Sequence, residues 1–192
     1  MRYRKSRKEL SRRKIIDVAA KAFSREGLDG ISIADIMKEA GLTIGAFSWH
    51  FSSKEELIRE AIREQFERSF KWRVYQENSP LDEIMRHYVN LEVEELCPTA
   101  TLTAEIARRP IATRKLFNSF LAQSMKNVED RLPSGMGKAE RKATAMAILA
   151  LLIGTVQISR AAKGTPISKS MIKAGLNTAV KMMKKDQPPK KI

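Results

Sequence analysis

Between residues 32 and 50 the chain carries two apolar stretches, each far shorter than the about 12–15 residues at which an isolated helix becomes marginally stable in water. Such stretches hold only when packed against something longer. Ser32 stands ahead of Ile33-Ala34-Asp35-Ile36-Met37, where its hydroxyl can cap a helix. Gly41 follows, suited to the positive φ that closes a helix, and Ala40 beside it is small enough for close helix approach. Thr43 caps a second short stretch over 44–50. Two short helices across a tight glycine-containing turn, backed by a longer helix, predict a helix-turn-helix.

The rest of the chain keeps the helical period. Leu10, Ile15, Val18, Ala19, Ala22 and Phe23 form one stripe of a helix over 6–25, which Gly27 ends. Ser52-Ser53-Lys54-Glu55-Glu56 offers two overlapping capping boxes, Ser52 with Glu55 and Ser53 with Glu56, ahead of a long helix over 57–76. Further helices are expected over 81–96, 101–108, 111–131, 138–163 and 168–185, punctuated by Pro80, Pro98, Pro110, a loop over 133–137 and Gly164-Thr165-Pro166. Period-two alternation is confined to a few positions. The class is therefore all-α, with about nine helices, divided near residue 57 into an N-terminal helix-turn-helix domain (1–57) and a helical body (58–192).

Charge narrows the partners. Lysine and arginine number 36 against 22 acidic residues, giving +14 and a pI near 10.1, which draws the chain toward nucleic acid or an anionic membrane. The excess is local: residues 1–14 hold eight basic residues against Glu9, and residues 160–192 hold nine against Asp186. The longest uncharged run, 143–159, falls just short of the roughly 18–20 apolar residues of a membrane span and reads as a core helix. The N-terminus lacks the apolar segment of a secretory signal.

No catalytic constellation stands out. His50 and His87 are far apart, Cys97 is the single cysteine, and no glycine-rich phosphate loop or paired metal ligands occur. A non-enzyme without metal or cofactor is expected. Glu94 and Glu95 would raise the Cys97 thiol pKa, which favours an inert cysteine over a sensor.

Ile16, Ala19, Ala20, Phe23, Gly27, Ile31-Ser32-Ile33, Ile36, Ala40-Gly41-Leu42-Thr43, Gly45, Phe47, His50-Phe51, Lys54 and Leu57 stand at a spacing that resembles the DNA-binding domain of the tetracycline-repressor (TetR) family. The resemblance implies a bacterial, cytoplasmic transcriptional regulator: a homodimer that binds a palindromic double-stranded operator and is released by a small-molecule effector of unknown identity. It places Ser32, Thr43, Ile44, Gly45, Ala46, Ser48, Trp49, His50 and Lys54 at DNA, with Arg4, Lys5 and Arg7 in a basic arm along phosphates or in the minor groove. Ile44 and Ala46 could touch thymine methyls, and Thr43 a base edge or phosphate. One position departs, since the family usually has tyrosine where this chain has Ser48. Tyrosine there would hydrogen-bond a phosphate across the groove, and Trp49, through its indole N–H, could take over part of that contact.

Residues 143–156 are apolar nearly all round and must be covered on several sides. With the final helix they suggest a four-helix dimer interface through Ala147, Leu151, Thr155, Ile158, Met171 and Leu176, as the resemblance also implies. Trp72, Met85, His87, Tyr88, Phe117, Phe120, Met125 and Met146 are the soft and aromatic side chains for a ligand pocket, although core packing is the commoner role for such residues. A membrane-active helical protein is the rival reading of the basic ends and the apolar run; the helix-turn-helix weighs against it.

Overall fold

The computed structural model describes the backbone of residues 2–75, 79–91 and 98–184 and the side chains of residues 7–69, 79–91 and 98–184. Among the described residues every regular element is helical: α1 (Arg2–Glu26), α2 (Ile33–Glu39), a 3-10 helix (Ile44–Trp49), α3 (Lys54–Tyr75), α4 (Leu81–Val89), α5 (Pro98–Thr101), α6 (Thr103–Ile106), α7 (Ile111–Glu129), α8 (Lys138–Ala161) and α9 (Pro166–Met183). The all-α expectation holds. Ten helices stand among the described residues where about nine were expected, because the single helix foreseen over 101–108 is replaced by α5 and α6, two single turns on either side of Leu102. Cys97 and the C-terminal residues 185–192 lie outside the described residues.

The chain groups into two compact units, Met1–Trp72 with Glu92–Asn118, and Arg73–Leu91 with Ser119–Ile192. Residue 57, the division read from sequence, falls inside α3. That helix starts at Lys54, where the Ser53 hydroxyl accepts the Glu56 N–H at 3.2 Å. The Glu56 carboxylate reaches back to the N–H and hydroxyl of Ser52, both at 2.7 Å. Of the two boxes read from sequence, only the one pairing Ser53 with Glu56 is built.

In the first unit, Ile15, Ile16, Ala19, Ala20, Ala22 and Phe23 of α1 are buried against Ile36, Met37, Leu57, Ile58, Ala61, Ile62 and Phe66. Gln65 of α3 donates to the Ala20 carbonyl at 2.6 Å and to the Ser24 hydroxyl, fastening α3 to α1. Gly27 ends α1 at φ +86°, its N–H bonded to the Phe23 carbonyl at 2.9 Å. At the other end α1 departs from expectation: its backbone is helical from Arg2, so the basic arm is a helix and not a loose strand of charge. No described residue before Ile15 is buried, and Leu10, read as part of the core stripe, is exposed.

In the second unit α8 and α9 pack along one another and α4 packs on both. The short connection over 162–165 turns at Gly164 (φ +86°), and the Ser168 hydroxyl donates to the Ser159 carbonyl at 2.8 Å. Ala145, Ile148, Leu152, Thr155, Val156 and Ser159 face inward from α8, opposite Gly175, Leu176 and Ala179 of α9. Among the described residues the chain's own packing covers one side of α8; the other side is the one assigned from sequence to a subunit interface. The 18-residue apolar window of α8 has mean hydropathy 1.6, but only 33% of that window is buried.

A side chain at Gly175 would collide with the hydroxyl and methyl of Thr155. Alanine in place of glycine inside an open helix adds about 1 kcal/mol of stability. Gly175→Ala should instead cost about 1–3 kcal/mol through overpacking, read as a lowered urea midpoint, and Thr155→Ala in the same chain should recover most of the loss.

Candidate nucleic-acid interface

The turn foreseen at Ala40-Gly41-Leu42 is built from backbone hydrogen bonds. Gly41, at φ +66°, donates its N–H to the Lys38 carbonyl, and the Leu42 N–H reaches the Met37 carbonyl, both at 2.9 Å. This double closure satisfies two carbonyls that the end of α2 leaves unpaired. At the start of α2 the Ser32 hydroxyl accepts the Asp35 N–H at 3.1 Å and donates to the Asp35 carboxylate at 2.5 Å. Ser32, expected at DNA, is thus already engaged as a cap, though its side chain is exposed.

The second short helix is tighter than expected. Its bonds run i→i+3, from the Ala46 N–H to the Thr43 carbonyl at 3.0 Å and from the His50 N–H to the Phe47 carbonyl at 2.9 Å. Six residues with glycine in second place suit a 3-10 turn better than a full α-helix. Phe47 and Phe51 point inward, their ring centroids 5.5 Å apart, and anchor the segment. Thr43, Ile44, Gly45, Ser48 and Trp49 are exposed, and Ala46 is half-buried. Ile44 and Trp49 are 61% and 76% exposed, unusual for side chains of their size. The Ser48 hydroxyl turns back toward the Gly45 carbonyl at 3.4 Å.

Cations border this surface. Arg12 lies over the Phe51 ring at 4.9 Å and pairs with Glu60 at 3.7 Å and Glu56 at 3.9 Å. The Lys14 ammonium stands beside Gly41. His50 is half-buried, its Nδ1 enclosed without a hydrogen-bond partner. Burial, and then the positive charges of Lys8 and Arg12, push its pKa below the ordinary imidazole value. Arg7 is exposed on α1; the side chains of Arg4 and Lys5 lie outside the described residues. Lys54, expected at a phosphate, donates to the Ile31 carbonyl at 2.7 Å, which explains a cation at the start of α3 without any phosphate.

Residues that sequence reasoning missed fasten this region from behind. Glu105 of α6 accepts the buried Leu28 N–H at 2.7 Å, just past the end of α1. Arg109 pairs with Asp29 at 2.7 Å and with Glu55 at 3.8 Å. The Arg109 guanidinium holds the Asp29 carboxyl below the usual carboxylate range. Thr113 of α7, wholly buried, donates its hydroxyl to Glu55 at 2.5 Å, so Glu55 serves this contact in place of the Ser52 cap read for it. The loop between α1 and α2 and the first turn of α3 are therefore held by residues 105–113.

The residues grouped as a ligand pocket are divided between the two units. Phe117 belongs to the core of the first unit, edge-on to Phe66 at 5.9 Å. In the second unit Met85 is buried and Tyr88, Phe120 and Met125 are half-buried, whereas His87 and Met146 are exposed. On α4 the inward stripe is Leu81, Met85 and Val89, which turns His87 out. The Trp72 side chain lies outside the described residues. Of the expected dimer residues, Ala147 and Ile158 are exposed and Leu151 and Met171 half-buried, but Thr155 and Leu176 are covered by the chain's own α8–α9 packing.

Residues 15–61 match the sequence profile of the bacterial regulatory proteins of the tetR family. Over 59 residues the chain is 42% identical to the HTH-type transcriptional regulator AcrR of Shigella flexneri, a match covering 30% of this chain and 27% of that one. It is 27% identical over 106 residues to the negative transcriptional regulator IcaR of the biofilm operon icaADBC of Staphylococcus epidermidis, covering 48% of this chain and 57% of the relative. The matched segments thus span less than two thirds of these relatives. The solved structure of a TetR-family transcriptional regulator from Cytophaga hutchinsonii superposes with a TM-score of 0.75, covering 91% of this chain and 95% of that one; at 20% identity the likeness is one of fold.

The Leu28 N–H offers a direct test of the rear fastening. Glu105→Ala leaves this buried donor unpaired and should lower unfolding free energy by about 1–3 kcal/mol in urea titrations. Glu105→Gln keeps an acceptor oxygen and should recover most of that loss. Equal stability of the alanine and wild-type chains would show that Leu28 is solvated.

Proposed function

Because residues 15–61 form the N-terminal domain of the TetR family and the chain carries that family's fold, we propose that this protein is a sequence-specific DNA-binding transcriptional regulator. It acts as a homodimeric repressor that a small-molecule effector releases from a palindromic operator in the bacterial cytoplasm. The observation that carries the DNA reading is the exposed side of the 3-10 helix, with Thr43, Ile44, Ser48 and Trp49 uncovered beside Lys8, Arg12 and Lys14. Cations beside such a surface position a duplex through its phosphates, while uncharged side chains meet base edges. Retention on genomic fragments tests it. Discrete fragments should be held at about 150 mM salt against excess heteropolymer DNA; sequence-blind retention that fades with salt would leave only a polycation.

A homodimer is supported by the open face of α8, where Ala147, Ala150 and Ile158 are exposed and Gly154 has no neighbour within 4 Å of an added Cβ. Burying each large apolar side chain there contributes about 1.5–3 kcal/mol. A second copy suits this face better than lipid, because Lys169, Lys173 and Lys181 are exposed on the neighbouring α9. The repressor sign follows the negative regulator among the relatives. The effector is drawn from the family's fold, and no residue of this chain is assigned to it.

Ile158→Glu should give a monomer of unchanged helicity by light scattering, with operator affinity reduced by about tenfold or more as the paired half-sites uncouple. A dimer that survives the substitution would place the interface elsewhere. His50 supplies a second expectation. Burial, and then Lys8 and Arg12, hold its pKa in the free protein below the ordinary imidazole value, and a phosphate beside it would raise that pKa. Binding then takes up a proton, and affinity should rise as pH falls from the DNA-bound pKa toward the lower free-state pKa. His50→Gln should abolish the rise; a wild-type affinity flat with pH would remove His50 from the phosphate contacts.

A further inference from the structure

The chemistry of the 3-10 helix constrains what it can read, provided the DNA-binding assignment above holds. From Thr43 to Trp49 there is no charged side chain. Gly45 has none, Phe47 is buried, and the Ser48 hydroxyl points back at the Gly45 carbonyl. The side chain standing out at the start of the helix is Ile44, 61% exposed. It sits three residues past Gly41, beside which the Lys14 ammonium lies. An anionic duplex is drawn to this cationic edge, where the exposed side chain in the first position of the helix, Ile44, has no donor or acceptor, while the exposed Thr43 before it carries a hydroxyl.

We propose that Ile44 reads the C5-methyl group of a pyrimidine in the major groove, so that operator choice at this position rests on a methyl group and not on a hydrogen-bond pattern. Of the four base edges in the major groove, only thymine presents a methyl; the others present acceptors or donors whose waters an isoleucine would strip without replacement. Against a methyl, the contact removes apolar surface from both partners and leaves no polar group unpaired. The discrimination follows from the methyl itself. 5-Methylcytosine carries the same group in the same place and makes the same contact.

The full-length protein would first select duplexes from a random pool. In the enriched sequence each thymine is then replaced singly by deoxyuridine, which removes only the C5-methyl. One thymine per half-site should lose about fourfold in affinity, the factor for roughly 0.8 kcal/mol of one buried methyl-sized group. Ile44→Ala, at an exposed position where folding is unaffected, should bind the thymine and uracil duplexes alike. At that position 5-methylcytosine paired with guanine should bind wild type more tightly than cytosine does, by a similar factor. A selected duplex in which every uracil is tolerated, or an alanine variant that keeps the full uracil penalty, would overturn the methyl readout alone. A pool yielding no enriched sequence would overturn the DNA-binding assignment and this inference with it.

Discussion

Glu55 is the side chain on which the geometry of the helix-turn-helix turns. It occupies the first turn of α3, and its carboxylate takes the Thr113 hydroxyl on one oxygen and faces Arg109 on the other. The same Arg109 holds Asp29 in the loop that leads from α1 to α2, and Glu105 four residues earlier takes the Leu28 N–H of that loop. The helix-turn-helix is thus strung between two points, the α1–α2 loop and the start of α3, both tied to residues 105–113. Within that span Ile36, Met37 and Ala40 are buried, Phe47 and Phe51 anchor the 3-10 segment, and Gly41 closes α2. Seven-residue and six-residue helices have little stability of their own, so the fastening at both ends fixes where their exposed sides point.

Local chemistry was legible in the sequence because it acts over a few residues. Ser32 caps α2, Ser53 and Glu56 start α3, and Gly27 and Gly41 take the positive φ assigned to them. The core face of α1 could be read from period alone once Ile15 is passed. Its helical N-terminus could not, since a run of basic residues is read as charge before it is read as the string of helix formers it also is. The fastening from behind was invisible for a different reason. Glu105 and Leu28 are 77 positions apart and Thr113 and Glu55 are 58 apart, and nothing in either local sequence names its partner.

The body shows the limit of periodicity as a guide. Residues 143–156 are apolar all round, so the sequence says that several sides need cover but not which side the chain covers itself. Packing decides it: the close approach of Gly175 to Thr155 commits Thr155 and Leu176 to the α8–α9 contact and leaves Ala147, Gly154 and Ile158 on the open side. The aromatic and methionine side chains grouped as a pocket show the same limit, because helical spacing does not separate an inward Met85 from an outward Met146 without the neighbouring helix in place. Lys54 carries a related lesson. A cation at a helix start suggested an external anion, whereas the nearby Ile31 carbonyl satisfies it.

On the proposed reading two 3-10 helices are presented together, one from each copy, and only that arrangement would make the open face of α8 and the uncharged surface parts of one device. A hydroxyl-radical footprint on DNA upstream of the protein's own gene, at about 150 mM salt, tests this most directly. The account predicts two protected patches related by twofold symmetry and centred about one helical turn apart, roughly 34–36 Å, or a multiple of that distance. Uniform protection along the fragment that disappears as salt rises would contradict it, reducing the basic edge to a surface that binds any polyanion.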